Sequence, residues 1–291
     1  PWTTIAEEQG CSIEWVDFDV ETGRLSLESY ANALESKPKL VALGYASNAL
    51  GTISPVKGLI TDAKAVGALT FIDAVQYAPH GPMDVQDLDC DFLAISAYKF
   101  FGPHVGMLYG KHDLLTSLPT YQLRPAPQIP PGVWETGTQN HEGMAGVLGA
   151  LEYFEWLGKA FDEGQQTDDL RTNLVKAGDL IQAYELEISV ALQKMLEDVP
   201  GVRVYGLTET DEFKDRVPTF SLTMEGYAPR ELATLLGQRG VNVWNGNYYA
   251  LDVTERLGLE ESGGMLRIGA VHYNTVQEVE ILGQHLRELA K

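Results

Sequence analysis

Lys99 lies in Ser96-Ala-Tyr-Lys-Phe-Phe-Gly-Pro103, among apolar and aromatic neighbours. Loss of water disfavours an ammonium, so a lysine in such surroundings has a lowered pKa and becomes a nucleophilic amine. Taken alone, Lys99 reads equally well as a structural or solvated lysine. Asp73 closes the apolar run Leu69-Thr-Phe-Ile-Asp73, Ser96 closes Asp91-Phe-Leu-Ala-Ile-Ser96, and Asn48 follows Lys39–Tyr45. Open α/β sheets bind ligands beyond the carboxyl ends of their strands, which places Asn48, Asp73 and Ser96 at one predicted edge. An amine that can form a Schiff base, near a carboxylate that can favour a protonated ring nitrogen, is a pairing with definite chemistry: withdrawal of electrons from a substrate carbanion. Asp73 by itself reads equally as an ordinary strand-end or capping carboxylate.

The hydrophobic pattern supplies the scaffold for these residues. Lys39–Tyr45 reads as a buried strand and Val56–Val66 as a helix with Val56, Leu59, Ile60, Ala63 and Val66 on one side. Leu69–Asp73, Asp91–Ser96 and Gly106–Tyr109 read as further strands. Strands alternating with helices predict an α/β architecture with a mainly parallel sheet. The proline-rich Arg124–Gly132 must be a loop, and Gly143–Trp156 reads as a helix. The polar stretch Asp162–Asp169 marks a predicted boundary, giving a large domain over 1–160 and a smaller α+β domain over 161–291. The second part reads as a long helix over 168–197, strands at Val202–Tyr205, Pro218–Thr223, Val241–Trp244 and Met265–Ile268, and helices at Pro229–Arg239 and Thr275–Leu289.

Among 291 residues, 41 are acidic and 21 basic, a net charge of −20. That surface repels nucleic acid and anionic membranes, which are set aside as partners. Cys11 and Cys90 are the only cysteines. They offer neither a disulfide framework nor metal-ligand spacing, and they fit reduced thiols in a cytosol. No apolar run is long enough to span a bilayer and no signal peptide opens the chain, so a cytoplasmic location is expected.

Asp73-Ala-Val-Gln76, Ser96-Ala-Tyr-Lys99 and Gly102-Pro-His-Val-Gly-Met-Leu-Tyr109 occur in order, with Ser47-Asn48-Ala-Leu-Gly51 upstream and Glu135-Thr-Gly-Thr-Gln-Asn140 downstream. Together they resemble the signature of the class V aminotransferase, or cysteine-desulfurase-like, family of enzymes that use pyridoxal 5′-phosphate (PLP). The resemblance covers essentially the whole chain. It implies a PLP-transferase (aspartate aminotransferase-like) large domain followed by a small C-terminal domain. It further implies that Lys99 carries the cofactor as a Schiff base and moves the proton at the substrate α-carbon. Asp73 would pair with the pyridinium nitrogen, Gln76 would bond the ring's phenolic oxygen, and Asn48 would reach that oxygen or the substrate carboxylate. Ser96 would hold the phosphate, as Tyr98 could through its hydroxyl. Thr138 resembles the phosphate contact donated from a second subunit, which implies a homodimer with shared sites. Arg267, in Met265-Leu-Arg-Ile-Gly-Ala-Val-His-Tyr-Asn-Thr275, resembles the arginine that grips the carboxylate of a small amino acid, a role suited to its planar two-donor fork. Gln76, Ser96 and Thr138, taken singly, also read as ordinary loop hydrogen bonding. His80 reads as structural, and Tyr77, Trp244, Tyr248 and Tyr249 read as either pocket lining or core.

The chain departs from that pattern in three places. Tyr98 stands where many relatives have histidine. Tyr249, in Gly246-Asn-Tyr-Tyr-Ala250, stands where true desulfurases carry the reactive cysteine, and persulfide formation needs a thiolate. Relatives also carry, before the segment that begins here with Pro1, a phosphate-binding turn at a helix N-terminus and a ring that stacks on PLP. The chain therefore reads as a fragment, or as a protein whose remaining part is separate, with an unpaired sheet edge and exposed apolar surface. Aminotransferase or lyase chemistry is the expectation. The alternative is a non-catalytic family member with weak or no PLP binding. A dinucleotide-binding domain is disfavoured, because no Gly-x-Gly-x-x-Gly links a strand to a helix.

Overall fold

The computed structural model describes residues 1–161, 164 and 167–290. The chain opens with helix α1 (Trp2–Glu8), which buries none of its residues, and α2 (Leu27–Leu34), capped by Ser26, whose hydroxyl accepts from the Ser29 N–H. α2 starts on its cap and carries Leu27, Tyr30 and Leu34 at helical spacing, the last two buried. There follow β1 (Leu40–Gly44), α3 (Val56–Ala65), β2 (Leu69–Asp73), the single turn α4 (Val85–Leu88), β3 (Phe92–Ser96) and β4 (Gly106–Gly110). Their sheet runs β1-β2-β3-β4, parallel at the first two junctions and antiparallel at the last.

Tyr30 and Leu34 of α2 and Val56, Leu59, Ile60 and Ala63 of α3 pack on Val41, Leu43, Ile72 and Leu93. Each large aliphatic side chain fully buried there contributes roughly 1.5–3 kcal/mol. β1 is not buried on both faces, as its continuous apolar run predicts. Val41 and Leu43 point into the core, whereas Leu40, Ala42 and Gly44 are exposed. The reason is that α2 and α3 cover one face only; Leu108, paired with Ala94, is exposed on the other. Trp2 of α1 meets Phe71 edge-on at 5.1 Å.

α5 (His112–Ser117) leads through the proline-rich loop to α6 (His141–Ala160) and α7 (Leu170–Glu197). The expected boundary lies partly outside the described residues, at 162, 163, 165 and 166. α6 and α7 pack through Leu157, Ala177 and Ile181. Gly158 permits the approach, since a Cβ there would lie 2.1 Å from the Asn173 carbonyl oxygen.

The second sheet contains β5 (Val202–Tyr205), β6 (Thr219–Met224), β7 (Trp244–Gly246) and β8 (Met265–Gly269), ordered β5-β6-β8-β7 and antiparallel throughout. α7, α8 (Pro229–Gly237) and α10 (Val276–Leu289) cover it, with Ile188, Leu192, Leu232, Leu236, Leu282 and Leu286 around Phe220, Leu222 and Leu266. α9 (Leu251–Arg256) lies between β7 and β8. β7 starts three residues later than the expected strand at Val241, because Val241 and Val243 pack on this core while the ladder begins at Trp244. α10 opens on a capping box formed by Thr275 and Glu278.

The loop after β1 fastens the two sheets together. Ser221 on β6 donates to the Ala49 carbonyl at 2.6 Å, and Leu50 packs with Tyr205, Tyr248 and Met265. Gly51 has φ +78, and a Cβ there would meet the Thr219 carbonyl oxygen at 2.5 Å, so only glycine fits.

Candidate active site

Asp73 pairs with Ala94 across β2 and β3. Side chains alternate along a strand, so Asp73, Ala94 and Ser96 project from one face, the face that α2 and α3 leave uncovered. Asp73 is exposed, and its carboxylate accepts from the Val75 N–H at 3.0 Å. Ser96 precedes the 3₁₀ turn Ala97–Phe100, and its hydroxyl does not cap that turn. Lys99 sits on the turn, half-buried, with its Nζ 5.5 Å from the centre of the Tyr98 ring. Burial, and then the positive charge of Arg267, lower the pKa of its amine. Lys99 thus feels the charge of Arg267 although the two come from different sheets.

Arg267 donates to the Asn48 carbonyl at 2.8 Å, and its guanidinium lies 4.7 Å from the centre of the Tyr248 ring. Asn48 in turn donates through Nδ2 to the Tyr248 carbonyl at 2.8 Å. Asn48, Arg267 and Tyr248 therefore lock one another, with Arg267 anchored through Nη1. Burial lowers the guanidinium's pKa.

Gln76 donates to the Thr219 hydroxyl at 3.2 Å, which ties the loop after Asp73 to β6. Tyr98 is exposed and stacks on His104 at 5.2 Å. Thr138 is exposed on the bend before α6, and among the described residues no hydrogen bond or ion pair joins it to the others. Tyr249 is fully exposed at φ +63. Tyr77 belongs to the core: it stacks on Tyr45 at 3.9 Å and its hydroxyl accepts from Gln182. His80 is buried, with Nδ1 2.8 Å from Glu185 of α7. Sequence reasoning missed Glu185; the available signal is a charge within the apolar stripe of Ile181, Ile188 and Leu192.

The groups present fit PLP: a lysine amine with a lowered pKa, an exposed carboxylate on the neighbouring strand and an uncommitted serine hydroxyl on the same face. No group of His, Cys, Asp and Glu suited to a metal occurs among the described residues.

The family model described as aminotransferase class-V matches residues 1–282. The chain belongs to the class V aminotransferase family. It is 31% identical to a cysteine desulfurase of Synechococcus elongatus over 99% of its own length and 44% of that protein. Against an aminotransferase-like protein of Gibberella zeae it is 31% identical, covering 96% of this chain and 66% of that one. The apo cysteine desulfurase of Thermococcus onnurineus superposes with a TM-score of 0.83 at 27% identity, over 100% of this chain and 69% of that one. The chain thus spans less than half of the Synechococcus relative. These likenesses give this class V chain the fold type I architecture of PLP-dependent transferases and lyases.

Proposed function

We propose that this class V chain forms most of a PLP-dependent enzyme that carries out aminotransferase or lyase chemistry on a small amino acid. The observation that carries the reading is the placement of Lys99 on the turn after β3, with Asp73 and Ser96 on one face of the adjoining strand ends and Arg267 held by the Asn48 carbonyl through Nη1. PLP, when bound, supplies an electron sink for the substrate's α-carbon. Lys99 is the group that takes and returns the proton there, because an amine kept neutral is a competent base. Asp73 would pair with the ring nitrogen of bound PLP and favour its protonated form. Ser96 and Tyr98 would hold the phosphate, with Thr138 contributed across a homodimer, and Gln76 would serve the phenolic oxygen. Arg267 presents its remaining donors to the substrate carboxylate, with Asn48 beside it. The division at about residue 160, into a cofactor-binding part over 1–160 and a small domain over 161–291, belongs to the same reading. So does a cytoplasmic location. No described helix is long and apolar enough to cross a membrane.

Persulfide-type desulfuration is not part of this proposal, although several relatives are named cysteine desulfurases. The tip of the 246–250 turn offers the phenol of Tyr249, and burial raises the Cys90 thiol's pKa. Cys11 is exposed near the chain start.

Borohydride reduction of the chain mixed with PLP, followed by peptide mass mapping, tests the reading. A pyridoxyl group on Lys99, absent in Lys99→Ala, is the expected result. A folded chain that takes up none supports the non-catalytic alternative instead. Amino acids offered to the loaded protein then separate keto-acid from elimination products, and a protein-bound persulfide formed from cysteine would overturn the assignment of Tyr249.

A further inference from the structure

We propose that the cavity of about 290 Å³ bounded by Trp244, Asn247, Tyr248, Tyr249 and Glu260 receives the substrate's side chain, and that it selects an amino acid whose side chain ends in an ammonium or guanidinium group. This rests on Arg267 being the carboxylate-binding residue. Trp244 stands directly opposite Arg267 on the neighbouring strand, so their side chains share a face of the sheet. Its indole is 62% exposed, and Tyr248 carries the Arg267 guanidinium over its ring. The cavity therefore shares two walls with the surroundings of Arg267.

Its chemistry favours a cation. Trp244 and Tyr249 present exposed rings whose faces attract cations, while the Tyr248 ring is buried beneath the Arg267 guanidinium. Glu260 is half-buried among them, and its bonds among the described residues come from neutral donors, Asn247 Nδ2 at 3.1 Å and the Thr254 hydroxyl. No cationic side chain is paired with that carboxylate among the described residues, and a molecule of net charge −20 attracts cations in general. Tyr248 at φ +56 and Tyr249 at φ +63 are consecutive aromatic residues in the left-handed region. Such a turn persists only where its surroundings hold it. Here Asn48 holds the Tyr248 carbonyl, and the Asn247 side chain accepts from the Tyr249 N–H at 3.2 Å. The turn keeps the Tyr249 ring at the cavity mouth instead of in a core. An amino acid of the lysine or ornithine type carries the two groups this arrangement would bind, a carboxylate for Arg267 and a distal cation for Glu260.

Isothermal titration calorimetry of the chain, with and without PLP, against L-lysine, L-norleucine and L-glutamate tests this. L-lysine should bind about tenfold more tightly than the nearly isosteric but uncharged norleucine. Glu260→Gln should bring lysine down to the norleucine level while leaving norleucine unchanged, and Tyr249→Ala should weaken lysine severalfold. Tyr249 is fully exposed, so its removal spares the fold and decides the matter should Glu260→Gln unfold. Arg267→Met should weaken every amino acid alike. Norleucine binding as well as lysine, with dependence on Arg267 intact, overturns the subsite and leaves the carboxylate reading standing. No binding by any amino acid overturns both.

Discussion

Lys99 owes its lowered pKa first to burial and second to the charge of Arg267. Both disfavour the ammonium, so the neutral amine is present at lower pH than for a lysine with the ordinary value of 10.5. The rate at which PLP forms its Schiff base should accordingly rise with pH and level off below that value, read from the absorbance of the bound cofactor. Removing the second cause by Arg267→Met should move the midpoint upward, and an unchanged or lower midpoint would show that the two side chains do not interact. At this scale the sequence is legible where chemistry is local. Lys99 and Asp73 announce themselves at the ends of apolar runs. Tyr248 does not, because its partner Asn48 lies 200 residues away and nothing in Asn247-Tyr-Tyr249 reveals which ring will sit beneath a guanidinium.

Elements add constraints that no single residue carries. Within α6, alanine in place of Gly158 would gain up to about 1 kcal/mol of helix propensity. The new Cβ, however, would fall 2.1 Å from the Asn173 carbonyl oxygen of α7, a backbone atom that cannot turn aside. Overpacking of that kind costs typically 1–3 kcal/mol, so Gly158→Ala should destabilise the protein in urea titrations despite the better helix former. The pairing of α7 with the loop after β2 gives a second test. Burial raises the Glu185 carboxyl above its ordinary 4.5, outweighing the opposite pull of His80. The folded protein then holds that proton to a higher pH than the unfolded chain does, and the associated stability is full below about pH 4.5 and lost as pH climbs through the raised folded value. Glu185→Gln keeps an acceptor for His80 but cannot ionise. The stability of the native protein relative to this variant should therefore fall as pH rises above about 4.5, and a difference that grows with pH would contradict the burial argument. Helix and strand positions were largely readable, since periodicity reports which face is buried. What periodicity cannot report is whether a second layer covers the other face, which is why β1 looked buried on both sides, or where an extended segment joins a ladder, which is why β7 starts late.

For the whole molecule, the open question is what covers the apolar side chains left outside. Tyr121 and Ile129 are 105% and 72% exposed, and Leu123, Trp134, Met144 and Leu148 are also exposed along the proline-rich loop and the start of α6. Thr138, the residue expected to reach a second subunit's phosphate, lies within that same stretch. Scattered exposed apolar residues are ordinary, but several within one stretch of chain around a candidate site residue are what an interface there would use. Charge works against association: each chain carries −20, so like surfaces repel over about 10 Å at 0.1 M salt. Burial of a standard interface, about 800 Å² from each partner, has to outweigh that repulsion. The balance gives a definite expectation. Sedimentation equilibrium should report twice the chain mass of 32.0 kDa, more completely as salt screens the repulsion. Charges placed in the run, as in Tyr121→Glu with Ile129→Asp, should return the protein to the monomer and weaken retention of PLP together, because Thr138 is then withdrawn from its neighbour. A monomer at every salt concentration would sink the shared site, and a dimer that survives those substitutions would place the interface on another face.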